Sequence, residues 1–331
     1  TLASLDSPGR DIPLNPDQIA GYRAFGNKIW NAARFALSRV GGAKVQETLE
    51  PASLAAPERW ILSRLSRVAG EVSERLEVFR FDEACNRLYH FFWGDFCDWY
   101  IELSKPALTG EAPRPQVGEV LLTVLDRSLR LLHPVMPFLT EEVWQRLPGH
   151  EAIHPETICL APYPRREERW EDAEVEAGME VMTQVINRVR GLRAELGLAP
   201  KAKLEVHLNA SEPAVGALLA EQAPLIGFLC RAESVQSGPG PEGARRDVVA
   251  GVEIAIISEK RTEAQEMSEE ERQRLLKELE KLETEIARAE ERLSNEQFLS
   301  KAPAHVVEGG RARLAEMKEK RGTLRSGLGL A

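Results

Sequence analysis

The chain has 331 residues, with 52 acidic against 43 basic side chains and a formal net charge of −9. That length exceeds one compact helical domain and predicts roughly two or three units. The acidic balance excludes nonspecific coating of nucleic acid, so any such contact must come from local basic faces. No apolar run approaches the roughly 20 residues of a membrane span and no signal segment opens the chain, so a cytoplasmic protein without a membrane partner is expected.

Thr1-Leu2-Ala3 leads into Ser7-Pro8-Gly9-Arg10-Asp11, which reads as a linker entering a helical region. Helical periodicity then predicts helices over about 16–40, 57–78, 81–104, 116–133 and 137–147, broken at Gly41-Gly42, Pro51 to Pro57 and Pro106 to Pro115. Long helices with short connections mean an α-bundle. Pro134 and Pro137 bracket a turn, Thr140 is placed to cap the last helix, and Glu141-Glu142 suit its positive end.

Within the first helix, about 100° per residue gathers Tyr22, Ile29, Trp30, Ala33, Ala36 and Leu37 on one arc, predicted to be core. Asn27, Lys28, Asn31, Arg34 and Phe35 share the opposite arc. Amides can pair with base edges, cations can hold phosphates, and a phenyl ring can stack on an unpaired base, so this face suits single-stranded RNA. An ordinary solvated surface with one stray Phe fits the helix equally well.

After Pro148, Thr157 to Leu160 is a short strand candidate, Glu171 to Leu196 an amphipathic helix, Leu204 to Leu208 a strand, Pro213 to Leu229 helical and Val248 to Ile257 strongly β-forming. The result is a small α+β module. Ser237-Gly238-Pro239-Gly240-Pro241 reads as a hairpin loop, without the glycine spacing or Lys-Ser/Thr of a phosphate cradle. Arg188, Arg190 and Arg193 read as ion-paired or solvated in preference to phosphate-bound. Asp95, Asp98 and Glu102 read as a polar stripe beside an aromatic face in preference to an acid/base or metal site. Cys85, Cys97, Cys159 and Cys230 have no CxxC and no nearby His pattern, and are expected to be buried free thiols.

From about Thr262, Leu275, Leu279, Leu282, Ile286, Ala289 and Leu293 follow the spacing of a heptad seam. Asn295 to Pro303 interrupts it, and a second, weaker seam carries Val307, Leu314, Met317, Leu324 and Leu328, giving an antiparallel coiled-coil hairpin. Gly322, Gly327 and Gly329 each cost about 1 kcal/mol of helix relative to Ala, so this end is expected to fray. Residues 259–296 hold 13 Glu against 8 Lys plus Arg, whereas 297–331 hold 7 Lys plus Arg against 3 Glu. The two helices therefore attract each other, and the basic one can also face a polyanion.

Several motifs together resemble the C-terminal part of the valyl-tRNA synthetase family of class I aminoacyl-tRNA ligases. They are Ser7-Pro8-Gly9-Arg10-Asp11, the stretch Asn27 to Phe35, Phe81-Asp82-Glu83-Ala84, and the run Phe91-Phe92-Trp93-Gly94-Asp95-Phe96-Cys97-Asp98-Trp99-Tyr100. The Lys301-Ala302-Pro303 turn and its preceding Leu293-Ser294-Asn295-Glu296 join them, while His133 to Trp144 is shared with the isoleucine and leucine relatives. The resemblance implies a mainly α chain: a helical-bundle anticodon-binding domain over 1–150, a small α+β domain over 151–258 and a coiled-coil tRNA-binding arm over 259–331. It implies that Asn27 and Asn31 read anticodon bases, Phe35 stacks, and Lys28 and Arg34 hold the backbone. Lys301, Arg311, Arg313, Lys318 and Arg321 would grip the outer corner of the tRNA.

The implied partners are valine tRNA and the catalytic and editing domains of the same enzyme, in a monomer. The HIGH and KMSKS signatures do not occur in this chain. It is therefore expected not to activate valine alone and to hold no cofactor, with ATP and Mg²⁺ belonging to the catalytic domain. A scaffold or dimerisation module without anticodon readout is the alternative.

Overall fold

The structure is a computed structural model, and it describes residues 2–5, 16–109, 114–154, 156–199, 202–258, 269–294, 314, 317, 318 and 321. Contacts divide the chain into Thr1–Ser258 and Glu259–Ala331. The linker motif at 7–11 and the turn over 295–303 lie outside the described residues.

The first unit opens with α1 (Leu2–Leu5) and α2 (Pro16–Arg39), followed by α3 (Ala56–Glu77) and α4 (Phe81–His90). A π-helix (Phe91–Tyr100) runs on into α5 (Ile101–Thr109), and α6 (Pro115–Leu132) and α7 (Pro137–Trp144) complete the bundle. Pro57 and Pro115 sit in the first turns of α3 and α6, where the missing N–H costs nothing. The break expected at Pro106 falls later, because α5 continues through it to Thr109. Leu103, Ser104 and Ala107 are buried on either side, and that packing offsets the lost backbone bond. Thr140 is not a cap. It lies inside α7 with its hydroxyl donating to Met136 O at 2.9 Å.

The bundle is filled by Phe92, Phe96, Tyr100, Trp144 and Trp170, all essentially inaccessible to solvent. A buried ion pair joins Arg130 to Asp126, whose other oxygen accepts from Trp144 Nε1 at 2.6 Å. These bonds meet the demand that a buried carboxylate be fully partnered, and they tie α6 to α7.

The core continues across residue 150 without a break, since α8 (Ala173–Glu195) buries Met179, Met182, Val185, Ile186 and Val189 in the same cluster. Glu176 on α8 accepts from Ser63, Arg64 and Arg67 on α3, which fastens the two helices. The strand expected over 157–160 is instead a 3₁₀ turn, Ile158–Leu160. Thr157 Oγ1 accepts the Cys159 N–H at 3.2 Å, a local bond that competes with extended pairing.

The remaining elements are β1 (Leu204–Ala210), α9 (Pro213–Glu221), α10 (Ala223–Cys230), β2 (Ser234–Ser237), β3 (Arg245–Val249) and β4 (Val252–Ser258). The sheet order is β2-β1-β4-β3, with β1 and β2 parallel and the other pairs antiparallel. The helix expected over 213–229 is two helices bent by 66°. The strand expected over 248–257 is a hairpin, β3 and β4, turned at Ala250-Gly251 with φ of 47° and 75°. The Gly/Pro segment at 237–241 is consequently no hairpin loop. It carries the chain from one sheet edge to the other and brings Gly240 against His207 and Ala255.

In the second unit α11 spans Glu269–Ser294 and buries Leu279, Leu282 and Ile286 of the expected seam. Leu314, Met317, Lys318 and Arg321 are helical, and Lys318 Nζ lies 2.7 Å from Glu290 Oε1. No single helix among the described residues is long and apolar enough to cross a membrane.

Candidate nucleic-acid interface

The outer side of α2 is set by its buried side. Phe25, Ile29, Ala32, Ala33 and Ala36 are buried and fix the rotation of the helix. With Ile29 as the centre and about 100° per residue, Arg34, Asn27 and Asn31 point nearly straight away from the core. All three are exposed, and among the described residues none has a side-chain hydrogen bond or ion pair. Two aromatics flank them. Phe35 lies on one side, half-buried against the core, with Lys105 Nζ 5.8 Å from its ring centroid.

Trp30 lies on the other side and corrects its expected core position: it is 39% exposed, with the Arg146 guanidinium 5.5 Å from its ring. Its bearing of about 100° from Ile29 puts it at the edge of the apolar arc, and an indole is too wide to close under that edge. The sequence signal that finds it is its spacing from Asn27 and Arg34, three residues before it and four after.

Lys28 is not a free cation. Its ammonium lies 2.7 Å from Asp98 Oδ1 and 4.9 Å from the Trp93 centroid. Asp95 accepts from Arg64 at 2.9 Å and Glu102 from Lys105 at 2.5 Å, so each carboxylate of the 95/98/102 stripe has a cation of its own. These are structural pairs, with no cluster of acids aimed at a common point.

The arginines of α8 are also engaged within the protein. Arg188 pairs with Asp247 and Glu195, Arg190 donates to Leu229 O at 3.1 Å, and Arg193 is buried and donates to the carbonyls of Arg231 and Ala199. Of the basic residues expected on the arm, Lys318 is exposed and paired with Glu290, and Arg321 is half-buried. Lys301, Arg311 and Arg313 lie outside the described residues.

The buried-thiol expectation holds for Cys97 and Cys230, whose burial pushes each thiol up to about 12. Cys85 is half-buried. Cys159 is a correction: it is exposed, on the 3₁₀ turn, with its sulfur 3.0 Å from His133 Nε2.

Comparison with known proteins bears on the helical bundle from α3 onward and on α11. The family described as "Anticodon-binding domain of tRNA ligase" matches residues 58–208, from α3 through the π-helix into β1. The family described as "Valyl tRNA synthetase tRNA binding arm" matches residues 268–330. The valine–tRNA ligase of Geobacter sulfurreducens is 41% identical over 99% of this chain, and that of Syntrophotalea carbinolica 40% over the same share. The chain belongs to the valyl-tRNA synthetase family. It matches the C-terminal region of these valyl-tRNA synthetases and spans 37% of the length of the first and 36% of the second. A third valyl-tRNA synthetase relative, from Carboxydothermus hydrogenoformans, is 39% identical over 99% of the chain and 37% of its own length. The α2 face precedes the stretch that matches the anticodon-binding description, and α11 lies within the arm match.

Proposed function

We propose that this chain is the noncatalytic tRNA-binding part of a valine–tRNA ligase, recognising the anticodon of valine tRNA with the outer face of α2. The observation that carries the reading is the exposed, unpartnered set of Asn27, Asn31 and Arg34 between two aromatics, in a chain of this family. Amides without internal partners are free to pair with base edges, which carry the sequence information. Arg34 and Lys28 hold phosphates, which do not. Phe35 stacks on an unpaired base. The 259–331 arm, with Lys301, Arg311, Arg313, Lys318 and Arg321, grips the outer corner of the same tRNA as a separate unit, an antiparallel coiled-coil hairpin. Linking two sites raises affinity through effective concentration. Aminoacylation falls to the catalytic and editing domains as partners, in a cytoplasmic monomer.

The test is a fluorescence-anisotropy titration of the chain with valine tRNA and with the same tRNA carrying an exchanged middle anticodon base. Asn27→Ala and Asn31→Ala are expected to lower discrimination between the two by about 1–3 kcal/mol while changing affinity for the exchanged tRNA little. Equal loss on both tRNAs removes the readout role. No preference by the unmodified chain returns the scaffold reading.

A further inference from the structure

Outside the α2 face, three side chains of different chemistry converge where α6 ends, α7 begins and the 3₁₀ turn passes. The ligand atoms of His133, Glu141 and Cys159 all lie within 4.8 Å of one another. We propose that these three residues bind a divalent metal ion of the zinc class, with solvent in the fourth position.

The hydrogen bonds around the trio prepare it for that task. Thr140 has one hydroxyl proton, and its oxygen lies 2.9 Å from Met136 O, to which it donates as part of the helical turn. With that proton on Met136 O, its oxygen accepts from the N–H of His133 Nδ1, 2.7 Å away. In the neutral ring this arrangement leaves the Nε2 lone pair directed at Cys159 Sγ, 3.0 Å away. A ligating histidine almost always donates its other N–H to an oxygen, which orients the ring. Glu141 is likewise held: Gln145 Nε2 donates to one carboxylate oxygen at 2.7 Å, and Thr157 Oγ1 donates to the other at 2.7 Å. One thiol, one imidazole and one carboxylate make a donor set that suits zinc in preference to magnesium or calcium, which take oxygen ligands.

With Zn–S of about 2.3 Å and Zn–N of about 2.0–2.1 Å, tetrahedral ligand atoms stand about 3.6 Å apart. The Sγ–Nε2 pair must open by roughly half an ångström and the carboxylate must draw in by at most about 1 Å, movements within reach of an exposed cysteine and a half-buried glutamate on staggered rotamers. Binding converts the Cys159 thiol to a thiolate and releases its proton to solvent. The ion would fasten α6, α7 and the 3₁₀ turn, and α7 lies beside α2, where Leu139 stands 3.6 Å from a β-carbon placed on Gly26.

The test uses the full chain, stripped with a chelator and titrated with Co²⁺ as a spectroscopic stand-in for zinc. A thiolate-to-cobalt charge-transfer band and intensified visible bands of a tetrahedral ion are expected, both bleached by Zn²⁺. Cys159→Ser should abolish the charge-transfer band, His133→Asn should weaken Co²⁺ binding at least tenfold, and Cys85→Ser should change neither. Thr140→Val, which keeps every ligand, should weaken binding by about 10–100-fold. Absence of the charge-transfer band in the unmodified chain, or its persistence in Cys159→Ser with circular dichroism unchanged, overturns the proposal. Neither result bears on anticodon binding, which is read independently on tRNA.

Discussion

Lys28 Nζ is shared between Asp98 Oδ1 at 2.7 Å and the face of Trp93 at 4.9 Å, so the cation that flanks the exposed amides of α2 is already engaged by the π-helix. Both side chains of the ion pair are partly exposed, which puts its worth at about 0.2–1 kcal/mol. A phosphate can displace Asp98 at that expense. Asp98→Asn is therefore expected to raise affinity for valine tRNA about two- to fivefold, by freeing Lys28 and removing a negative charge. Lys28→Ala should lower affinity about equally for matched and mismatched tRNAs and flatten the plot of log affinity against log salt by roughly 0.7–1. Weaker binding in Asp98→Asn means that Asp98 positions Lys28 for its phosphate.

Two aromatics border the α2 face, and their unequal burial separates their roles. Phe35→Ala and Trp30→Ala are each compared by anisotropy on valine tRNA. A stacked base is worth about 1–3 kcal/mol, and Phe35→Ala is expected to lose that much. If only Trp30→Ala loses it, the stack belongs to Trp30 and Phe35 serves the core.

A pH effect on stability is expected from Glu58. It is buried on α3, its Oε2 has no partner, and burial, partly offset by Arg114, raises its pKa from 4.5 to about 7. The folded chain thus binds this proton more tightly than the unfolded chain does. Stability falls as pH rises between those two values, by about 3 kcal/mol at most. Glu58→Gln removes the titrating group, so its melting temperature should fall less than that of the unmodified chain from pH 5 to pH 8. Parallel melting curves across that range would show that Glu58 ionises normally.

Gly240 is held so closely against the sheet that a β-carbon there would lie 2.3 Å from Ala255 Cβ. Gly240→Ala should destabilise by about 1–3 kcal/mol in denaturant unfolding, and Ala255→Gly in the same chain should recover part of the loss. No loss in the single variant would mean that the 237–241 segment lifts freely from the sheet.

The bundle helices were legible because Leu, Val and Ala recur at helical spacing over long stretches, and the Gly and Pro positions punctuate them. The exposed amides of α2 were legible for the same reason, since Ile29, Ala33 and Ala36 fix their direction. What the sequence hid depends on partners distant in the chain. Ser234–Ser237 is short and polar, and becomes a strand only because Glu205 to Leu208 lies alongside. Thr157 to Leu160 has β-forming side chains but no strand edge to join, and a local Thr bond wins. Trp30 sits on a boundary that helical phase alone does not resolve. The convergence of His133, Glu141 and Cys159 required the α6–α7 turn and the 3₁₀ segment to be placed in space.

The π-helix gives the length of the chain between α4 and α5 a mechanical meaning. Its N–H groups reach back five residues instead of four, which sets the phase at which Asp95 meets Arg64 on α3 and Asp98 meets Lys28 on α2. With the five-residue bonds kept, loss of a single residue between Phe91 and Tyr100 would turn all that follows by roughly a quarter of a turn about the helix axis, carrying Ile101, Leu103 and Ala107 out of their buried positions. Substitutions there trade one side chain for another, whereas deletions would act on the whole downstream helix at once. Variation in this segment among working relatives should therefore take the form of replaced side chains at constant length.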